Sequence, residues 1–216
     1  MAMKLNQGKP ESPPTTQYFQ YGPKEMEYLK AKDKKLGAAI EEIGLIQRPI
    51  TPDPFTALIS SIVSQQISKK AAVTVWNRLV ELLGSITPVI IQGTELASIQ
   101  ACGMSTRKAT YIKGIAQAAL TGQVDFSVLP CLSDREIVAQ LSTQHGVGVW
   151  TAEMLLIFSL NRPNVLSYND LAIRRGMMNL YHHKDLPRSR FEEYRARYSP
   201  YCSVASLYLW ELSGQD

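Results

Sequence analysis

The sequence predicts an all-α protein made of two helical lobes, and three observations support this fold class. Apolar residues recur in segment after segment at the three- and four-residue spacing of an amphipathic helix. The connections between these segments are short, about two to eight residues. No stretch alternates between apolar and polar residues for long enough to predict a sheet. With 216 residues, a chain of roughly ten short helices is expected to form two lobes.

The helices are predicted in chain order from their start and stop signals. Residues 1–23 combine several prolines with polar residues and are expected to form an extended or poorly ordered lead-in. Pro23 then opens a stretch rich in helix formers that ends at Gly44, which predicts one helix. After Asp53 a second helix buries one apolar face, formed by Phe55, Leu58, Ile59, Ile62 and Val63. A third runs from Ser68 to Gly84, and others are predicted near 94–101, 106–121, 133–142, 149–160, 170–181, 190–197 and 203–212.

Composition excludes several classes of protein. The longest apolar run has five residues, Met154 to Phe158, whereas a membrane-spanning helix needs about 20. The first twenty residues contain no apolar core of the kind a secretory signal requires, so we expect a cytoplasmic protein. The three cysteines lie far apart, which argues against a disulfide framework, a zinc site or an iron–sulfur site and predicts free, buried thiols.

Positive charge is concentrated in one half of the chain. Between Phe55 and Gln123 the only acidic residues are Glu81 and Glu95, and six basic residues give this half a net charge of +4. A surface that faces phosphates would need such an excess, although a solvated basic face has the same composition. Charge alone therefore leaves nucleic-acid binding open.

A glycine turn between two helical stretches is the most specific local signal. Gly146-Val147-Gly148 lies within the segment Leu141–Phe158, and small residues allow a tight turn there. The turn amides and the N-terminus of the second helix would carry partial positive charge, suited to an anion such as phosphate. A plain helix–helix turn would show the same short pattern.

The wider sequence resembles the helix-hairpin-helix, endonuclease III-like DNA glycosylase superfamily, and within it the DNA-3-methyladenine glycosylase II branch. L-x-x-x-x-G-V-G-x-W-T-A at Leu141–Ala152 is followed by VLSYNDLAIRRG at Val165–Gly176. The segments Phe55–Ala72, Gly103–Ile112 and Ser203–Trp210 also match, so that the resemblance covers roughly residues 50–215. It implies a helix-hairpin-helix motif at 141–158, a central lobe at 46–157 and a second lobe of 24–45 plus 158–216, with a cleft between the lobes.

The resemblance implies that Asp170 is the catalytic residue. From the residues alone, Asp170 is a helix N-cap, and both roles are compatible. A carboxylate at a helix N-terminus could stabilise positive charge on the sugar as the N-glycosidic bond breaks, and could orient or deprotonate the attacking water. Bifunctional relatives carry a nucleophilic lysine where this chain has Trp150, so we expect a monofunctional enzyme. An iron–sulfur cluster is not expected, because the chain has only Cys202 where relatives carry a four-cysteine loop.

The resemblance also assigns the parts of a base-flipping site. Gln66, with Gln65 as a weaker candidate, would fill the gap that the flipped nucleotide leaves. The base pocket would contain Trp210, Trp150 and Met154, where an electron-rich indole favours a cationic base. DNA phosphate would bind Gly146, Val147, Gly148, Lys69 and Lys108. No cofactor is expected beyond a sodium or potassium ion at the backbone carbonyls of Ser142, Gln144 and Val147.

The expected activity is monofunctional release of alkylated purines from double-stranded DNA, 3-methyladenine first and 7-methylguanine second, by a monomer. His145, Met154 and Cys202 depart from the family pattern and bear on the substrate range. Two alternatives remain at this point. The protein could be a superfamily glycosylase for uracil, mismatched thymine or an oxidised purine, or a helix-hairpin-helix module that binds DNA without catalysis.

Overall fold

The computed structural model describes residues 16–214, and residues 1–15 of the expected lead-in lie outside the described residues. Within 16–214 the chain forms twelve α-helices, a short 3-10 turn and two very short strands, which confirms the all-α prediction. In chain order the elements are β1 (Gln17–Tyr18), α1 (Pro23–Lys32), α2 (Lys34–Ile43), β2 (Pro49–Ile50), α3 (Pro54–Ser64), α4 (Lys69–Leu83), α5 (Pro88–Gly93), α6 (Leu96–Ala101), α7 (Thr106–Leu120), the 3-10 turn (Leu129–Cys131), α8 (Asp134–Leu141), α9 (Val149–Phe158), α10 (Leu171–Tyr181), α11 (Arg188–Tyr198) and α12 (Cys202–Glu211).

The helices pack mainly in two sets. One set contains α3 to α9, with α3 packed against α4, α7 and α9. The other contains α1, α2, α10, α11 and α12, in which α12 packs against α2 and α10. The lobe boundaries at 46–157 and at 24–45 plus 158–216 stay a prediction. The five apolar residues predicted to form the buried face of α3 are each 4% exposed or less, so that face is confirmed.

The strands β1 and β2 join the N-terminal segment to the segment that precedes α3. They pair antiparallel, with Gln17 opposite Ile50 and Tyr18 opposite Pro49. Two residues are too few for an alternating pattern to be recognised, which is why the sequence did not predict them.

The prediction of a single helix between Pro23 and Gly44 is wrong. The helix is interrupted at Asp33, which separates α1 from α2. The Asp33 carboxylate accepts hydrogen bonds at 3.0 Å from the amides of Lys35 and Leu36 and so caps α2. Gly44 ends α2 with φ of +75°, as predicted.

Asp33 is also the centre of a buried polar network. Its Oδ2 accepts hydrogen bonds from the Tyr181 hydroxyl at 2.7 Å and from Arg197 Nη1 at 2.6 Å. Burial by itself raises the pKa of Asp33, but the Leu36 amide, Tyr181 and Arg197 outweigh it, and the net pKa lies below the ordinary value. Three elements, α2, α10 and α11, are thus held together at one carboxylate.

Acid should weaken this network. Because the folded-state pKa of Asp33 is depressed, its contribution to stability is present above about pH 4, the unfolded value, and is lost as pH falls through the folded pKa. We expect Asp33→Asn to lower the free energy of unfolding at pH 7 by on the order of 2 kcal/mol. Thermal unfolding of the two proteins measured from pH 7 to pH 2 checks this. A difference in Tm that stays constant over that range would contradict the assignment.

Two further short elements were not predicted, the helix α5 and the 3-10 turn at Leu129–Cys131. The start of α5 does carry a readable signal, since Thr87 Oγ1 accepts a hydrogen bond from the Ile90 amide and Pro88 occupies the first helical position. With only six residues, α5 shows too little periodicity for a prediction from the apolar pattern.

The three cysteines are free, as expected. Cys102 and Cys202 are buried, whereas Cys131 is exposed, so that the prediction of buried thiols is wrong for Cys131. Burial raises the pKa of the Cys202 thiol to about 12. That thiol is therefore protonated at neutral pH and packs as a small apolar group.

None of the helices formed by residues 16–214 combines the length and the apolar character that crossing a membrane would require.

Candidate active site

Asp170 lies at the N-terminus of α10, where local sequence and tertiary structure act together. Its Oδ1 accepts hydrogen bonds at 2.9 Å from the amides of Ala172 and Ile173, the geometry of a helix cap. The residue is only 6% exposed. The partial positive charge of the helix N-terminus attracts negative charge at this position.

Two indole groups hold the other oxygen of Asp170. Trp150 Nε1 donates to Oδ2 at 2.9 Å, and Trp210 Nε1 donates to the same oxygen at 3.2 Å. Trp150 is in the first turn of α9 and Trp210 in the last turn of α12, so three helices converge on one carboxylate. With two donors on each oxygen, the four lone-pair positions of the carboxylate are filled.

A cleft of about 920 Å³ opens beside this carboxylate. Its volume lies within the range of pockets that bind small ligands and is ample for one nucleobase. The cleft is lined by Arg48, Pro49, Lys69, Trp150, Met154, Phe158, Asn169, Asp170, Leu171, Ala172, Trp210 and Glu211. The structure thus brings together Asp170, all three predicted pocket residues and Lys69.

Sequence reasoning missed one aromatic wall of the cleft, Phe158. Its ring packs on Trp210 with centroids 5.4 Å apart and planes 33° apart. Phe158 lies four residues after Met154 on α9, so both side chains point from the same face of the helix. That spacing is the signal that could have predicted Phe158 once Met154 was assigned to the pocket.

The predicted hairpin connects α8 to α9 through residues 142–148. Gly146 has φ of +85°, and a Cβ at this position would lie 2.3 Å from the ring of Tyr111, so both conformation and space require glycine. Gly148 is the N-cap residue that precedes α9, and it has no side chain that could cap the helix. The first amides of α9 therefore donate no hydrogen bond to a capping side chain.

Gln65 has a different position from the one expected for it. Its Nε2 donates to the carbonyl of Gly146 at 3.0 Å and lies 3.5 Å from Thr151 Oγ1. The side chain joins the end of α3 to the hairpin and is half-buried. Gln65 was the weaker candidate for filling the gap that a flipped nucleotide leaves. These hydrogen bonds already use the side-chain amide that this role would need.

Gln66 is exposed in the turn between α3 and α4, with φ of +56°. A second, smaller cleft of about 320 Å³ is lined by Ser61, Ser64, Gln65, Gln66 and Trp150. Trp150 lines both clefts. Gln66 therefore lies at the edge of a surface that continues to Asp170, and a non-glycine residue in the left-handed region is uncommon enough to suggest a function.

The two lysines predicted to bind phosphate have different surroundings. Lys69 is exposed at the N-terminus of α4 and lines the large cleft. The Lys108 ammonium instead donates to the carbonyls of Val63, at 2.8 Å, and Gln65. It satisfies the last carbonyls of α3, and burial lowers its pKa. Its position indicates a role in holding α3 and α7 together.

Sequence reasoning also missed Glu153, a half-buried acid in the otherwise apolar middle of α9. Burial raises the pKa of its carboxyl, and the negative charge of Asp170 acts in the same direction. Both causes act against the charged form of Glu153. Among the residues from 16 to 214, no group of three or more His, Cys, Asp or Glu side chains is arranged to hold a metal ion.

The sequence matches a known protein family and a named relative. The family model described as "HhH-GPD superfamily base excision DNA repair protein" matches residues 59–200. The chain is 36% identical over 169 residues to DNA-3-methyladenine glycosylase 1 of Schizosaccharomyces pombe, which covers 74% of this chain and 73% of that protein.

Two solved structures are also similar to this fold. A crystal structure of a DNA-3-methyladenine glycosidase from Bacillus halodurans superposes with a TM-score of 0.81 at 34% identity, covering 92% of this chain and 93% of that one. The Schizosaccharomyces pombe 3-methyladenine DNA glycosylase in complex with abasic DNA superposes with a TM-score of 0.77 at 31% identity, covering 87% and 95%. The chain therefore belongs to the HhH-GPD superfamily of base excision DNA repair proteins.

Proposed function

We propose that the protein is a monofunctional DNA N-glycosylase that flips an alkylated purine out of duplex DNA and releases it by hydrolysis, leaving an abasic site. The observation that carries this proposal is the Asp170 carboxylate, held by two backbone amides and two indoles on the wall of an aromatic cleft large enough for a purine. Relatives named DNA-3-methyladenine glycosylases support alkylated bases as the substrate class.

The chemistry requires little beyond this carboxylate. Alkylation at N3 or N7 makes the purine cationic, so it leaves as a neutral base and needs no strong general acid. Positive charge then develops on the sugar, and a fixed negative charge at Asp170 stabilises that transition state. The arrangement requires no charge to be reoriented during the reaction.

The hydrogen bonds of Asp170 favour charge stabilisation over deprotonation of water. All four acceptor positions of the carboxylate are filled by protein donors. To accept a proton from water, the carboxylate would have to lose one of these donors. The indoles on Oδ2 are the donors that line the cleft, so displacement of an indole is the route by which a water could reach this oxygen.

The same tryptophans supply the walls on which a base could stack. Trp210 and Phe158 form one packed aromatic pair, and Trp150 and Met154 also line the cleft. An indole face attracts a cation within about 6 Å of its centroid. Because the N–H edges of both indoles are bound to Asp170, the rings are held in place before a base enters.

The hairpin and Lys69 are the proposed DNA backbone contacts. The uncapped first turn of α9, which follows Gly148, offers amides and a positive helix end to a phosphate. Lys69 adds an exposed positive charge at the cleft. DNA as the partner is supported by a solved relative in complex with abasic DNA. We propose that the protein acts as a monomer.

The residues at the hairpin also fit the proposed sodium or potassium ion. The Gln144 carbonyl accepts one backbone bond, from the Val147 amide at 3.0 Å, and keeps a second lone pair. Together with the carbonyls of Ser142 and Val147 it would hold the ion, which would fix the hairpin conformation and add positive charge near the phosphate.

Release of the base without strand cleavage follows from the position of Trp150. An indole bonded to Asp170 occupies the place at which bifunctional relatives carry the amine that forms a Schiff base. We expect wild-type protein to release free 3-methyladenine from methylated duplex DNA, with strand breaks only after mild alkali. Strand breaks without alkali would contradict monofunctionality. Binding to duplex DNA without release of any base would identify a binding module instead.

Gln66 is the proposed wedge, and Gln66→Ala should slow base release from duplex DNA by about tenfold, because unstacking a base costs a few kcal/mol that the inserted side chain offsets. The effect should shrink when the lesion is in single-stranded DNA, where there is no stack to hold open. Single-turnover release from the two substrates measures this. Gln117→Ala, on the exposed face of α7, is the matched control, and equal losses on both substrates would argue against a wedge.

A further inference from the structure

An ion pair lies on the wall of the large cleft, beside the groups already described. Arg48 Nη2 contacts Glu211 Oε1 at 3.1 Å, and both residues line the cleft. The side chains are 37% and 47% exposed. Glu211 directly follows Trp210, so that the pair is next to the aromatic wall on which a base would stack.

Packing does not require this ion pair. The segment that carries Arg48 is already attached to its surroundings by the Tyr208 hydroxyl, which donates to the Gly44 carbonyl at 2.9 Å. The Thr51 amide also donates to the Phe158 carbonyl at 2.8 Å. A half-exposed ion pair adds little to stability, because solvent screens both charges. The position of the two charges, on the surface that a ligand would touch, is therefore their more informative property.

We infer that Arg48 and Glu211 set how strongly the cleft selects a base by its formal charge. This inference rests on the proposed function, since it concerns the same cleft. Glu211 contributes a negative potential that attracts a cationic purine, and Arg48 opposes that potential. A base that enters the cleft also displaces water, which strengthens both effects. Arg48 thereby limits the preference of the cleft for cationic bases.

If Arg48 and Glu211 have this role, the two single substitutions change the binding of a cationic base in opposite directions. Glu211→Gln leaves Arg48 unopposed in the cleft and should weaken binding of a cationic base by about twofold to fivefold, the range expected for half-exposed charges. Arg48→Gln leaves Glu211 unopposed and should strengthen that binding by a similar factor. The double variant should return towards wild type. Loss of a merely structural contact would move both single variants in the same direction.

The test compares two duplexes of one sequence, one with a single 7-methylguanine and one unmodified. A 2′-fluorine on the sugar of the modified nucleotide slows cleavage, because it withdraws electrons from the carbon where positive charge develops. Equilibrium affinities should change in opposite directions for the two single variants on the cationic duplex, and neither should change on the unmodified duplex. Single-turnover release of 7-methylguanine from the ordinary nucleotide should follow the same order.

Asp134→Asn is the matched control, because it breaks a comparable half-exposed pair with Arg162 outside the cleft. It should leave both affinities unchanged. The inference would be overturned if a single substitution changed the affinity for both duplexes equally. It would also be overturned if both single substitutions changed the affinity for the cationic duplex in the same direction while Tm was preserved. If wild-type protein releases no alkylated base, the proposed function fails by itself, because the affinities are measured without turnover.

Discussion

Replacing Asp170 with asparagine is expected to slow release of 3-methyladenine by at least about a hundredfold, the effect of removing one preorganised charge from a transition state. Asparagine has nearly the same shape but only one acceptor oxygen. Its amide nitrogen must face either the two indole N–H groups or the two backbone amides, all of which are donors. The variant therefore loses both the charge and half of the hydrogen bonds at this site.

DNA affinity should change little in Asp170→Asn, because the proposed backbone contacts lie on the hairpin and on Lys69. The measurements are single-turnover base release and equilibrium binding to an abasic duplex. Asp53→Asn is the control, since Asp53 caps α3 by accepting a hydrogen bond from the Thr56 amide at 2.8 Å but lies outside the cleft lining. Near-normal turnover by Asp170→Asn would remove the basis of the proposed mechanism.

The largest effect on stability is expected from Gly176→Ala. A Cβ at Gly176 would lie 1.9 Å from the carbonyl oxygen of Leu209, so that α10 and α12 pack through their backbones at this point. An alanine must push the two helices apart, and we expect a loss of about 3 kcal/mol, at the upper end of overpacking effects. Asp170 and Trp210 lie on these two helices, and their hydrogen bond should lengthen as well.

Gly114→Ala provides a matched comparison, because Gly114 is also within a helix but a Cβ added there would meet no atom within 4 Å. That substitution should stabilise the protein by up to about 1 kcal/mol through helix propensity. Thermal or urea unfolding of both variants separates the two cases. A Gly176→Ala variant as stable as wild type would show that α10 and α12 can separate without cost.

Local sequence determined much of the fold, because helix periodicity and capping depend on residues a few positions apart. Four features were predicted in this way: the apolar face of α3, the end of α2 at Gly44, the glycine turn and the cap at Asp170. The cap at Asp33 is equally local, but it was not predicted because helix formers continue on both sides of Asp33. Only the tertiary structure supplies the partners of its other oxygen, Tyr181 and Arg197, which are more than a hundred residues away.

Tertiary structure decided how the candidate site residues are used. From the sequence, Trp150 and Trp210 were expected to form a base pocket, and their hydrogen bonds to Asp170 follow only from the convergence of α9, α10 and α12. From the sequence, Lys108 was interpreted as an exposed basic residue. In the structure α7 packs on α3, and the Lys108 ammonium donates to two carbonyls. Residue types and their local spacing can be taken directly from the sequence. The partner of each polar group, in contrast, depends on which helices the folded core brings together.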